Sequence, residues 1–97
     1  MTRSKIHALA AGLLVAALSS AACRATLPEQ GSADNTLYRE RCGTCHDPYH
    51  PGLMTEAMWK IMYARMEIEI ETQGFPRITA EERDRLLKYL ARNAGQN

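Results

Sequence analysis

Residues 42–46 read Cys42-Gly43-Thr44-Cys45-His46, and this stretch decides how the rest of the chain is read. C-x-x-C-H is the attachment site of a c-type haem. Two thiols three positions apart can each add to one vinyl group of a single porphyrin. The imidazole that follows directly then lies under the iron and ligates it. Cys42 and Cys45 thus hold the cofactor covalently, and His46 supplies its proximal ligand. Two other uses of C-x-x-C fit less well. A thioredoxin-like redox site belongs to a β-α-β setting, and no strand-like alternating run flanks Cys42. A structural zinc site takes four ligands. The sequence has three cysteines and three histidines in all, and His7 lies near the start, leaving His46 and His50.

Outward from the motif, the N-terminus reads as a leader. Arg3 and Lys5 precede an apolar run from Ile6 to Leu18, and small residues follow from Ser19 to Ala22. A basic start, a short apolar stretch and a small-residue exit describe a secretory signal over residues 1–22. The run is short for a membrane span, which takes about 20 apolar residues; an uncleaved anchor is the alternative. Either way the remainder is exported, which suits the motif, because bacterial c-type haem is attached after export. Cys23 is left without an internal partner once the haem takes the other two thiols. It stands where a lipoprotein carries its lipid, although Ser20 occupies the position three residues earlier where leucine is expected. Ordinary cleavage near Ala22 would instead leave a free thiol in an oxidising compartment. The reading is a periplasmic chain tethered by a lipid on Cys23. Residues 23–33 form a flexible linker and 34–97 the domain. Ten such linker residues span about 17 Å.

The charge balance adds little. The chain has 12 basic and 11 acidic side chains, and loss of the leader removes Arg3 and Lys5 and no acid. Such near-neutrality gives no support for nucleic-acid binding. A domain this small is also hard to stabilise on its own apolar residues, and a buried porphyrin would supply a large apolar body.

The domain reads as all-α, about three helices around one haem. A first helix starts near Asp34 or Asn35, both good N-caps, and runs into Cys42. Residues 47–54 contain Pro48, Pro51 and Gly52 and cannot be regular helix. A carbonyl near Pro51 or Leu53 can accept the free N–H of His46 and fix its tautomer. Thr55 caps a middle helix that runs to about Ile70. Its spacing separates one apolar stripe (Trp59, Met62, Met66, Ile70), a second (Ala57, Ile61, Ala64, Ile68) and a charged outer face (Glu56, Lys60, Glu67, Glu71). Two apolar stripes suit a helix pressed between haem and another helix. Thr79-Ala80-Glu81-Glu82 is a capping box. It opens a last helix with Leu86, Leu87, Tyr89 and Leu90 inward, ending at Gly95. Tyr38 and Tyr89 are expected to pack where the first and last helices meet.

A second axial ligand must come from the chain after it rounds the porphyrin edge, a path of roughly 15–20 Å that takes at least about six extended residues. Met54 follows His46 too closely for a loop that does not run straight. Met58, Met62 and Met66 remain within reach, and Met62 and Met66 share the stripe of Trp59, which reads as packing against the porphyrin. His50 is too near His46 to cross the haem; it reads as a polar loop residue or a propionate contact. Methionines at this spacing also serve as plain core filler.

The order Trp59, Arg65-Met66, Ile78-Thr79-x-x-Glu82 and Lys88-Tyr89-Leu90 after C-x-x-C-H resembles small monohaem class I-type cytochromes c with a shortened distal region. The resemblance covers roughly residues 36–92. It implies Met66 as the distal iron ligand, with Met62 next in line because the helix is crowded with methionines. A His/Met iron favours a raised potential and electron transfer. The expectation is one covalent haem c, an exported one-electron carrier and a redox-protein partner. No catalytic constellation marks it as an enzyme. The alternatives are a haem-bearing subunit of an oxidoreductase complex and a gas-binding or sensing module with a labile distal ligand.

Overall fold

The computed structural model describes residues 26–96. The leader and Cys23, with the signal and lipid readings that rest on them, lie outside the described residues. The architecture is all-α, as expected: α1 (Ala33–Cys42), a 3-10 turn (Pro51–Leu53), α2 (Glu56–Thr72) and α3 (Ala80–Asn93). Among the described residues no helix is long and apolar enough to cross a membrane.

Each helix end has a local cause. The hydroxyl of Ser32 caps α1 by accepting the Asn35 N–H at 3.0 Å. The start thus falls ahead of the expected Asp34 or Asn35, because both side chains are engaged elsewhere. Asp34 accepts from Arg85 and Arg92, each at 2.8 Å. The buried Asn35 amide donates to the Pro28 carbonyl at 2.9 Å and to the Tyr89 hydroxyl at 3.4 Å. The stretch expected as flexible linker is therefore held against the domain over its described part. Leu27 packs on the core, and Glu29 accepts from Arg92 at 2.7 and 2.8 Å.

Thr55 caps α2 as expected, accepting from the Met58 N–H at 3.3 Å. The helix closes in a Schellman arrangement: Gly74 has φ +80°, its N–H donates to Glu71 and the Phe75 N–H donates to Ile70, both at 3.0 Å. The Thr79/Glu82 capping box of α3 is formed in both directions, at 2.9 and 3.1 Å. α3 stops at Asn93, two residues short of Gly95. Gly95 instead donates its N–H to the Met54 carbonyl at 2.9 Å and lies so close to Gly52 that a Cβ there would collide with the Gly52 oxygen.

α3 is the element against which α1, α2 and the 3-10 turn all pack. Leu86, Tyr89 and Leu90 are essentially inaccessible there, and full burial of such a side chain is worth about 1.5–3 kcal/mol. Tyr38 meets Tyr89 with ring centroids 5.1 Å apart, as expected at the α1–α3 contact. From α2 the core takes Trp59, Tyr63 and Ile70. Two sequence expectations for α2 fail. The stripe Ala57, Ile61, Ala64, Ile68 is exposed, with Ile61 at 62% and Ile68 at 65%. Glu67, assigned to the outer charged face, is turned to α3, where the Nε of Arg83 donates to it at 3.0 and 3.1 Å.

Candidate haem site

The C-x-x-C-H segment straddles the end of α1. Cys42 is the last helical residue, and Gly43 ends the helix by donating its N–H to the Arg39 carbonyl at 3.1 Å. A Cβ at Gly43 would collide with that same oxygen, so the residue after the first thiol must be bare. The chain then turns out of the helix, leaving Cys42 buried and Cys45 and His46 exposed.

A cleft opens beside this segment. Tyr38 and Cys42 of α1 form one side, His46 and Tyr49 of the loop the mouth, and Trp59, Met62, Tyr63 and Met66 of α2 the opposite side, with Leu90 of α3 behind. The structure thus brings together four of the five residues singled out for cofactor binding: Cys42, His46, Trp59 and Met66. Cys45 lies beside them in the motif but outside the lining. Met58 is half exposed and does not line the cleft. Met54 also stays outside, its carbonyl holding Gly95.

The loop that closes the mouth is held at several points. The Tyr38 hydroxyl donates to the Tyr49 carbonyl at 2.6 Å, and the Tyr49 ring lies 4.9 Å from that of His46. The Nδ1 of His46 is 2.8 Å from the Asp47 carbonyl. An Nδ1–H donated there leaves Nε2 free to bind a metal. The expected acceptor near Pro51 or Leu53 is not used: the Pro51 carbonyl instead takes the Trp59 indole N–H at 2.6 Å. His50 caps the 3-10 turn, its Nδ1 accepting the Gly52 N–H at 2.9 Å.

The electrostatics follow burial. Desolvation pushes the Cys42 thiol up to about 12, against a weaker opposing pull from Arg41. Burial likewise raises the Tyr38 and Tyr63 hydroxyls above the ordinary tyrosine value. Tyr63 is the site residue that the sequence reading passed over. It stands four residues after Trp59 and seven before Ile70, a spacing that places it on the same face. Its hydroxyl is buried beside the Glu67–Arg83 pair without a hydrogen-bond partner, as is the Nε of Arg41.

These residues fit a haem. The walls are aromatic and thioether groups, which suit a porphyrin face. Two thiols could form thioether bonds to the porphyrin's vinyl groups, and the imidazole, with a free Nε2, and one of two methionine sulfurs could ligate its iron. The buried Tyr63 hydroxyl at the lining is a donor that a carboxylate could satisfy, as haem propionates can. Zinc does not fit: among the described residues no group of three or more His, Cys, Asp or Glu side chains could hold a metal ion.

A three-helix fold with C-x-x-C-H at the end of its first helix, facing a methionine-bearing second helix, defines a c-type cytochrome. The family model described as dihaem cytochrome c matches residues 38–97, and the chain belongs to that family. No curated protein and no solved structure gives a significant match. Membership carries haem-based electron transfer as the general function. The resemblance read from the sequence agrees at the level of a c-type cytochrome. The family is described by two haems, whereas this sequence contains one C-x-x-C-H.

Proposed function

We propose that the chain is an exported monohaem electron carrier of class I-like character, not itself an enzyme, with Cys42 and Cys45 as thioether attachments. His46 Nε2 and the Met66 sulfur would ligate its iron. When bound, the haem supplies a one-electron couple. The observation that carries the reading is the cleft itself, in which His46 and the Met62/Met66 face of α2 share one lining with Cys42 and Trp59. His46 keeps its orientation through the Nδ1 contact to Asp47. Trp59 keeps its own through the Pro51 carbonyl, with its ring free to pack on the porphyrin. The Tyr38 hydroxyl ties the loop to α1 through the Tyr49 carbonyl. The partner is another redox protein, and Cys23, if lipidated, sets the chain at a membrane surface.

Two readings of the matured protein test this. Alkaline-pyridine spectra against protein mass should give one covalent haem per chain, and potentiometric titration should give a single reversible one-electron transition. Absence of covalent haem removes the proposal. Ferrous protein that takes up carbon monoxide readily, without first losing a ligand, replaces the carrier with the gas-binding alternative.

A further inference from the structure

Apolar side chains run a long way round α2. Trp59, Tyr63 and Ile70 face the core, Met66 and Met62 follow on one flank, and Met58 continues that flank into solvent. With 3.6 residues to the turn, Met66 stands about 20° from Trp59, Met62 about 60° and Met58 about 100°, all on the same side. Methionine is flexible and adaptable, so packing alone resists a roll of the helix in that direction only weakly. A roll of about 40° carries Met62 to the bearing that Met66 holds. Glu67 lies on the opposite flank, about 80° from Trp59. There Arg83 of α3 meets its partly buried carboxylate with a fork: Nε donates to both oxygens, at 3.0 and 3.1 Å, and Nη2 donates to Oε1. Arg83 stands in the first turns of α3, whose start the capping box fixes. The roll that brings Met62 inward turns Glu67 away from Arg83.

We propose that the Glu67–Arg83 pair sets the rotation of α2 and so presents Met66, and not Met62, to the haem iron. Arg83 is a positioning residue: it does not line the cleft and acts through the helix. Ion pairs of this kind specify one register where hydrophobic packing leaves several open. Trp59 pins α2 near its start, through the Pro51 carbonyl at 2.6 Å. Glu67 pins it again two turns later, next to Met66 in the chain. Both sulfurs line the cleft, and they differ in which pin lies beside them. The choice of ligand rests on the proposed His46/Met66 iron; the rotation of the helix does not.

The haem-loaded full chain carrying Arg83→Gln, Arg83→Lys, or Arg83→Gln with Met62→Ala tests the assignment. Two readings are taken on each: the far-red methionine–iron band of the ferric protein, and the rate at which chloramine-T oxidises each methionine, followed by peptide mass spectrometry. Arg83→Gln should speed oxidation of Met66 about tenfold, because a charge-assisted contact is lost. Arg83→Lys keeps the charge without the fork and should fall between. The band should weaken in Arg83→Gln, and what remains should vanish when Met62→Ala is added. A wild-type band together with wild-type oxidation of Met66 in Arg83→Gln overturns the proposal. If loss of Arg83 unfolds the domain, Glu67→Gln keeps the shape without the charge: faster Met66 oxidation at unchanged helix content supports the pin, and an unchanged rate overturns it. A wild type without the far-red band defeats the His46/Met66 reading, and the oxidation rates then decide the rotation by themselves.

Discussion

Replacing Asn35 with alanine probes how the N-terminal segment is fastened to α3. The side-chain amide is buried and donates to the Pro28 carbonyl and the Tyr89 hydroxyl. Two neutral hydrogen bonds contribute about 1 kcal/mol each. Alanine returns about half a kcal/mol through helix propensity, and the small cavity left behind takes a similar amount away. The net cost is about 2 kcal/mol. Tyr89→Phe keeps the ring against Tyr38 and loses both the hydroxyl's bond to Pro28, at 2.9 Å, and the bond it accepts from Asn35, for about 2 kcal/mol. Each single change still leaves the Pro28 carbonyl one donor. The double change leaves none, but Pro28 is only half-buried, so water can reach its carbonyl. The Asn35–Tyr89 bond is lost in either single change and is counted twice in their sum, so the two substitutions should cost about 1 kcal/mol less together than the sum of the singles. Urea unfolding of the haem-loaded protein, followed by helix circular dichroism, reads all four corners of the cycle. Strict additivity would refute the reasoning that the two side chains share a bond.

Two further outcomes follow from the site and its supports. In protein prepared without haem, Cys45 should be alkylated at pH 8 far faster than Cys42, whose rise from 9.0 to about 12 cuts its thiolate fraction about a thousand-fold; peptide mass spectrometry that finds equal rates in the folded state would count against the buried position of Cys42. On the acid side, Arg92 holds the Glu29 and Asp34 carboxyls below their ordinary values, with Asn93 and Arg85 assisting. Their folded values are depressed, so their stabilisation is present above the ordinary carboxylate range and is lost as pH falls through the lowered values. Urea midpoints taken between about pH 6 and pH 3 should fall less steeply in Arg92→Gln, and an unchanged slope would show that the cluster contributes nothing.

What could be read from the residues was largely what is local. The Thr55 cap, the Thr79/Glu82 box and the Tyr38–Tyr89 contact depend on short spacings or on one obvious apolar face, and each is where it was expected. The failures came where long-range partners compete for a side chain. Asn35 looked like a cap, yet its amide is committed to residues 7 and 54 positions away. Glu67 looked like a solvent residue, yet Arg83, 16 positions on, draws it inward. Spacing separated the two apolar stripes of α2 and had no means of saying that only one is covered. The C-x-x-C-H reading survived because its chemistry is local, whereas the choice between Met62 and Met66 turns on a few ångströms, and both sulfurs line the cleft.

The most direct test of the His46/Met66 iron is the absorption spectrum of the oxidised, matured protein in three forms: wild type, Met66→Ala and Met62→Ala. Methionine ligation of ferric haem gives a weak far-red charge-transfer band. The account requires that band in the wild type, its loss in Met66→Ala and its survival in Met62→Ala. A band that survives Met66→Ala and disappears in Met62→Ala, or a wild type that is high-spin and lacks the band altogether, would contradict it.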